Sequence, residues 1–243
     1  MKVRIALLLA AGLLTSGAWA AGEAELDEAH NNINNTASLQ RGARNFVNYC
    51  LGCHSAQYVR YNRLAEDLQL TEDQLLENLM FTGERPFDTM SIAMNSEDAA
   101  RWFGVAPPDL SLIARSRGTD YLYTFLRGFY VDESKPTGVN NTVLEGTAMP
   151  HVLVALQGIQ ELHEEEDAEH EGEMHTSLEL VEPGSLTEEE YDDFVRDIVN
   201  FLDYIGEPMQ RERKALGIRV IAFLLVLLLI VGMLKKEIWK DVE

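Results

Sequence analysis

The stretch LQRGARNFVNYCLGCH, residues 39–54, decides how the rest of the chain is read. Leu39, Ala43, Phe46, Val47 and Cys50 recur at steps of 4, 3, 1 and 3, the period of an amphipathic helix with one apolar face. The stretch closes on Cys50-Leu51-Gly52-Cys53-His54. C-x-x-C-H is the attachment signature of a c-type haem: two thiols three residues apart reach the vinyl edge of one porphyrin, and the following imidazole reaches the iron. The spacing, continued as helix, places Cys50 and Cys53 on one face. These are the chain's two cysteines, so no second attachment motif, disulfide or spare thiol remains. A thioredoxin-like pair would sit in a βαβ pattern, which is absent, and a zinc site would need further ligands at suitable spacing.

Working outward, residues 1–20 begin with Lys2 and Arg4, continue through the apolar run Ile5 to Leu14 and close on Ala18-Trp19-Ala20. That is the layout of a cleaved secretory signal peptide of bacterial type, and it predicts an exported body. Near the other end, Val220 to Leu234 is uncharged, and residues 215–234 carry Arg219 alone. Twenty such residues cross a bilayer core. Arg219 snorkels at one edge, and Trp239 among Lys235, Lys236 and Lys240 anchors the other. Arg211, Arg213 and Lys214 precede the span, so basic residues alone do not orient it; the signal peptide does, leaving 235–243 as a cytoplasmic tail.

The net charge is −20. Without Lys2 and Arg4 the balance is 18 basic against 40 acidic residues, or −22, which excludes nucleic acid as a partner and favours encounters with a basic protein. Between the ends, residues 21–210 form one exported domain. Residues 21–37 are polar and Asn-rich. Helix signals cover Leu39–His54 and Thr71–Met80, the latter opened by the capping box Thr71-Glu72-Asp73-Gln74. Two more follow Asp109, a candidate N-cap, and Thr119, with Gly118 between. Residues 131–150 read as loop. Glu161 to Asp193 holds 15 acidic residues and no Lys or Arg, and is expected as a solvated, disordered insertion. Its His163, His170 and His175 fit no single helix face, so metal sensing is the weaker reading. Thr187-x-x-Glu190 then caps a helix whose stripe is Tyr191, Phe194, Val195, Ile198, Leu202 and Ile205, with Leu186 stapled on Tyr191. The fold class is mainly α: a cytochrome c-like haem domain with large loops, plus one C-terminal transmembrane helix.

The sixth iron ligand is sought among the methionines. Met80 belongs to a stripe with Leu75, Leu76 and Leu79; Met90, Met94 and Met149 remain. Met149 is favoured by Gly146 and Pro150 around it, with His151 as competitor.

At these residues the chain resembles cytochrome c1, the haem c subunit of the cytochrome bc1 complex. The resemblance is carried by Arg41-Gly42 before the haem motif, His54-Ser55 with Tyr58 and Tyr61, and Pro107-Pro108-Asp109-Leu110-Ser111 leading into Ile113, Arg115, Arg117 and Asp120-Tyr121. Pro136-Thr137-Gly138-Val139, Met149-Pro150 and the single anchor complete it. The segment between His54 and Pro107 matches poorly, and 161–193 has no counterpart in shorter members. The resemblance implies thioether bonds at Cys50 and Cys53, iron ligation by His54 and Met149, Pro108 lining the haem pocket, and Arg117 and Tyr121 beside a propionate. It implies one haem c, cytochrome b and a Rieske iron–sulfur protein as partners, cytochrome c as acceptor, and a dimeric ubiquinol–cytochrome-c reductase in a bacterial inner membrane, haem domain in the periplasm. The alternatives are a free-standing anchored cytochrome c feeding an oxidase, and an enzyme such as a peroxidase with a vacant iron site.

Overall fold

The computed structural model describes residues 26–92, 94–166 and 174–240. The expected signal peptide lies outside them. Helix α1, Thr36–Tyr49, starts three residues before the apolar pattern because Asn35 caps it, its side chain accepting from Ser38 N at 3.2 Å. It ends at Tyr49, with Cys50 as its C-cap. Then come β1 (Ala56–Arg60), α2 (Tyr61–Asp67), α3 (Glu72–Asn78), β2 (Thr89–Met90) and α4 (Ser96–Phe103). After them lie α5 (Ile113–Arg117), α6 (Thr119–Arg127), β3 (Phe129–Val131), β4 (Val139–Asn141) and α7 (Val154–Gln157). The chain continues through β5 (Gly158–Glu166), β6 (Met174–Pro183), α8 (Glu188–Gly206) and α9 (Gln210–Ile238). The architecture is mainly α, with three two-stranded antiparallel sheets among the described residues.

The core is organised where α1 crosses α8. Ala43, Phe46, Val195, Ile198 and Phe201 are fully buried there, and the rings of Phe46 and Phe201 lie 5.4 Å apart. Burial of such side chains contributes roughly 1.5–3 kcal/mol each. The close approach requires Gly42: a Cβ there would meet the Asp197 carbonyl oxygen at 2.0 Å. Asp197 is itself buried and fully engaged. It accepts from Ser38 Oγ at 2.6 Å and takes a two-pronged contact from Arg41, Nε at 2.5 Å and Nη2 at 2.8 Å. Helix α8 starts at the expected capping box of Thr187 and Glu190, and α3 at that of Thr71 and Gln74.

Three expectations are corrected; the polar N-terminal stretch, for its part, wraps the domain over residues 26–35. Ala29 N donates to Asp120 at 2.9 Å, Asp27 pairs with Arg127 at 2.6 Å, and the Ala29 side chain is fully buried. The 131–150 loop contains β4, which pairs with β3 in the register Phe129↔Asn141 to Val131↔Val139. The acidic insertion is not structureless: β5 and β6 form a hairpin from Gly158↔Pro183 to Glu166↔Met174, fastened at its root by Gln160, whose Nε2 donates to the Arg127 and Phe129 carbonyls at 2.9 Å. Leu178 and Leu180 of β6 alternate at the strand period, and Leu162 of β5 pairs with Leu178, a signal that the surrounding carboxylates mask. Asp109 does not cap α5, whose N-cap is Leu112. Helix α9 is 29 residues long with mean hydropathy 2.8 in its most apolar window, enough to cross a membrane by length and composition.

Candidate haem site

The attachment signature lies in a turn, not on a helix face as the spacing had implied. Cys53 N and His54 N both donate to the Cys50 carbonyl, at 3.0 and 2.8 Å, which folds the two cysteines and the histidine into one compact loop at the end of α1. The two thiols are not joined to each other. Burial, and secondarily Cys53 nearby, pushes the Cys50 thiol up to about 12, so it stays protonated, unlike a metal-binding thiolate. Among the described residues no cluster of three His, Cys, Asp or Glu could hold a metal ion.

His54 is fixed by its backbone neighbour across the fold. Its Nδ1–H donates to the Pro108 carbonyl at 2.8 Å, which settles the tautomer and leaves Nε2 as the lone-pair nitrogen for iron. Burial lowers the imidazole's proton affinity and the Pro108 carbonyl opposes that effect. The Pro107-Pro108 segment is held by Asp109. Its Oδ2 accepts from Ser55 Oγ at 2.8 Å and Gln57 N at 2.9 Å, and its Oδ1 from Ser111 N at 2.9 Å. Asp109 thereby ties the strand after the signature to the segment that orients His54. Sequence reading missed this role; the signal was Asp109 two residues before Ser111, an Asx turn in place of a helix cap.

Met149 is half-buried and packs against the hydrophobic core. Its loop is built by Asn140 and Asn141, both buried. Asn140 Oδ1 accepts from Gly146 N at 2.8 Å, Asn141 Nδ2 donates to the Phe125 carbonyl at 2.8 Å, and Thr147 Oγ1 accepts from Met149 N at 3.3 Å. Gly146 has φ +72°, a left-handed turn that a side chain would strain. Met90 is wholly buried opposite Ala56 in the β1–β2 pair, so its sulfur is spent in the core. Met94 is half-buried. His151 stacks face to face on Phe129, centroids 4.8 Å apart and planes 6° from parallel. Burial holds this imidazole neutral, at about 4, with Gln157 opposing.

Arg117 and Tyr121 are brought together, the guanidinium 5.4 Å from the ring centroid, and Tyr121 stacks on Phe125. Half-buried Leu110, Ile113, Tyr121, Phe125, Cys50 and Met149 all pack on the core with part of their apolar surface left open. An imidazole with its outer nitrogen fixed, two free thiols in one turn and an apolar thioether fit a covalently attached haem.

The model of the cytochrome C1 family matches residues 28–242. The chain belongs to the cytochrome c1 family. It is 49% identical to cytochrome c1 of Allochromatium vinosum, over 98% of this chain and 96% of that one. It is 46% identical to a Nitrosomonas europaea protein named ammonia monooxygenase gamma subunit, over 98% and 97%. It is 28% identical to a Bradyrhizobium diazoefficiens protein named cytochrome b/c1, over 84% of this chain and 33% of that one. Cytochrome c1 proteins are membrane-anchored redox subunits of the respiratory chain with one covalent haem c, and this chain has both the attachment turn and the C-terminal apolar helix of that family.

Proposed function

We propose that this cytochrome c1 family chain is the one-electron relay of a quinol-oxidising bc1 complex, taking electrons from a Rieske iron–sulfur protein and passing them to a cytochrome c. The observation that carries this reading is the Cys50–His54 turn with Nδ1 of His54 committed to Pro108. Cys50 and Cys53 would hold the haem through thioether bonds, and His54 and Met149 would ligate its iron. The haem, once bound, supplies a reversible one-electron couple, whose potential a thioether ligand raises. With both of these ligands drawn from the chain's own side chains, no iron position would be left for substrate, which favours electron transfer over peroxidase or monooxygenase chemistry. Arg117, held over Tyr121, is placed to meet a propionate, a role for a planar bidentate donor.

Residues 1–20 act as the export signal, 21–210 as the periplasmic domain, 215–234 as the span and 235–243 as the cytoplasmic tail of a single-pass inner-membrane protein. The name of the Bradyrhizobium relative couples b and c1 in one chain, which supports cytochrome b as partner within a dimeric complex. Gentle detergent purification of the tagged chain from native membranes, followed by reduced-minus-oxidised spectra, tests this. Copurifying b-type haem and a Rieske centre are expected. A c-type haem alone, with intact complexes elsewhere in the preparation, would instead assign a free-standing carrier.

A further inference from the structure

We propose that His151, through its ring stack on Phe129, is the positioning residue that keeps Met149 on the haem iron. This inference rests on the reading of Met149 as the sixth ligand. The loop between β4 and α7 is fastened at both ends to one small hairpin. On the upstream side, Asn140 of β4 accepts from Gly146 N, three residues before Met149. On the downstream side Pro150 has no N–H to give, and the first side chain that can hold the backbone is His151.

Its stack is unusually well founded. Phe129 is 2% exposed, lies edge-on to Phe125 at 5.2 Å, and belongs to β3, whose register with β4 pairs Phe129 with Asn141. Gln160 further grips the Phe129 carbonyl. The ring beneath His151 is therefore immobile, and so is the Cα two residues from the thioether. The Gln157 side chain is the polar group set against the imidazole, and a phenylalanine at 151 would remove that contact while keeping the ring. What the site uses is the flat, rigid ring. The next firm attachments downstream, buried Leu153 and the Gln157 bond to the Arg127 carbonyl, come four and eight residues after Met149. They hold α7 at its N-cap and at its last residue, and on the downstream side they leave the backbone next to the thioether to His151.

A thioether is a weak iron ligand in competition with added imidazole, so the firmness of its loop is read directly in that competition. The experiment uses the holoprotein in its detergent-solubilised complex. Exogenous imidazole is titrated into the ferric form, with the red charge-transfer absorption of the iron–thioether bond and the midpoint potential as further readouts. Loss of the aromatic pair in His151→Ala is expected to raise imidazole affinity about fivefold and weaken the charge-transfer band. His151→Phe, which keeps a ring on Phe129 and discards both nitrogens, is expected to restore the wild-type affinity. A purely structural role in overall stability would not produce that selective rescue at the iron.

Met149→Ala serves as the reference for an unhindered iron. If wild-type protein binds imidazole as readily as Met149→Ala, the ligand assignment is wrong. If wild type resists imidazole and His151→Ala resists it equally, the positioning role is overturned. It is also overturned if His151→Phe behaves as His151→Ala. Should the alanine variant not accumulate with haem, His151→Leu keeps the bulk without the ring, and wild-type imidazole affinity there refutes the proposal equally.

Discussion

A single hydrogen bond carries much of the chemical argument. A carbonyl can only accept, so the Pro108 oxygen forces the proton of His54 onto Nδ1 and leaves Nε2 free. The carbonyl is in turn set by Asp109, which braces Ser55, Gln57 and Ser111 at once. Replacing Asp109 by Ala loosens the carbonyl that makes His54 more basic and removes a nearby negative charge, so it is expected to raise the midpoint potential and reduce haem incorporation while leaving Cys50 and Cys53 in place; potentiometric titration of the purified complex measures this. Removing the group that hydrogen-bonds the outer nitrogen of a metal-ligating histidine costs about 10–100-fold in affinity or activity. At the other axial position the structure separates the methionines that composition left together. Met90 is enclosed, while Met94 and Met149 are half-buried. Met94→Leu should leave the charge-transfer absorption intact, and Met149→Leu should abolish it and drop the potential. An unchanged spectrum in Met149→Leu would transfer the role to Met94 or His151. The attachment signature was fully legible in the sequence because its spacing is covalent chemistry. The Asp109 brace, the Asn140–Asn141 scaffold and the Phe129–His151 stack were not, because each joins residues whose partners lie elsewhere in the chain.

Elements were read best where capping and periodicity agreed. Thr71 and Thr187 both form the expected capping boxes, and α8 buries the expected stripe of Tyr191, Val195, Ile198, Leu202 and Ile205. Thr187→Ala removes one of these caps and is expected to cost about 1 kcal/mol, seen as a small shift in the denaturation midpoint with the haem spectrum unchanged. The misread elements share one physical cause: short strands carry little periodic signal, and charge hides it. In β5, Glu161 and the Glu164–Glu166 run leave Ile159 and Leu162 as the apolar residues, three apart across a register shift, so the strand shows itself through its pairing with β6 rather than through alternation. The end of α1 was overrun because Cys50 continues the apolar face although the helix stops at Tyr49. Gly42 tests the central packing. Its hypothetical Cβ lies 2.0 Å from Asp197 O and 2.8 Å from Phe201 Cβ, contacts that backbone cannot yield cheaply. Gly42→Ala should push α1 off α8 and destabilise the holoprotein by about 1–3 kcal/mol in denaturant titrations. Loss of stability well below that range would mean the two helices re-register.

At the scale of the whole molecule the charge is not spread evenly. The net charge of −20 has a conspicuous contribution from the β5–β6 hairpin, where Glu161, Glu164 to Glu166, Glu179 and Glu182 belong to strands that contain no Lys or Arg. The hairpin's root is gripped by Gln160 and by Gly184 N bonding to the Gln157 carbonyl, so its acidic surface is held on the same segment that follows Met149. Such a field accelerates encounters with a basic protein and is screened over a Debye length of about 10 Å at 0.1 M salt. Reduction of a basic cytochrome c should therefore slow as salt is added. Replacing residues 163–177 by Asn-Gly, a pair suited to a two-residue hairpin turn, would keep Leu162 opposite Leu178 and remove seven carboxylates, changing −20 to −13. The haem spectrum and potential should be unaffected, since every brace around the iron lies outside the excised stretch. The low-salt rate constant should fall by up to about tenfold and its salt dependence should flatten, while the high-salt rate stays near that of the full-length chain. Stopped-flow reduction of the acceptor across a salt series decides between the possibilities. Equal low-salt rates in the two proteins would show that steering comes from another part of the acidic surface. A loss that persists at high salt would mean the hairpin makes short-range contacts with the acceptor in the docked complex.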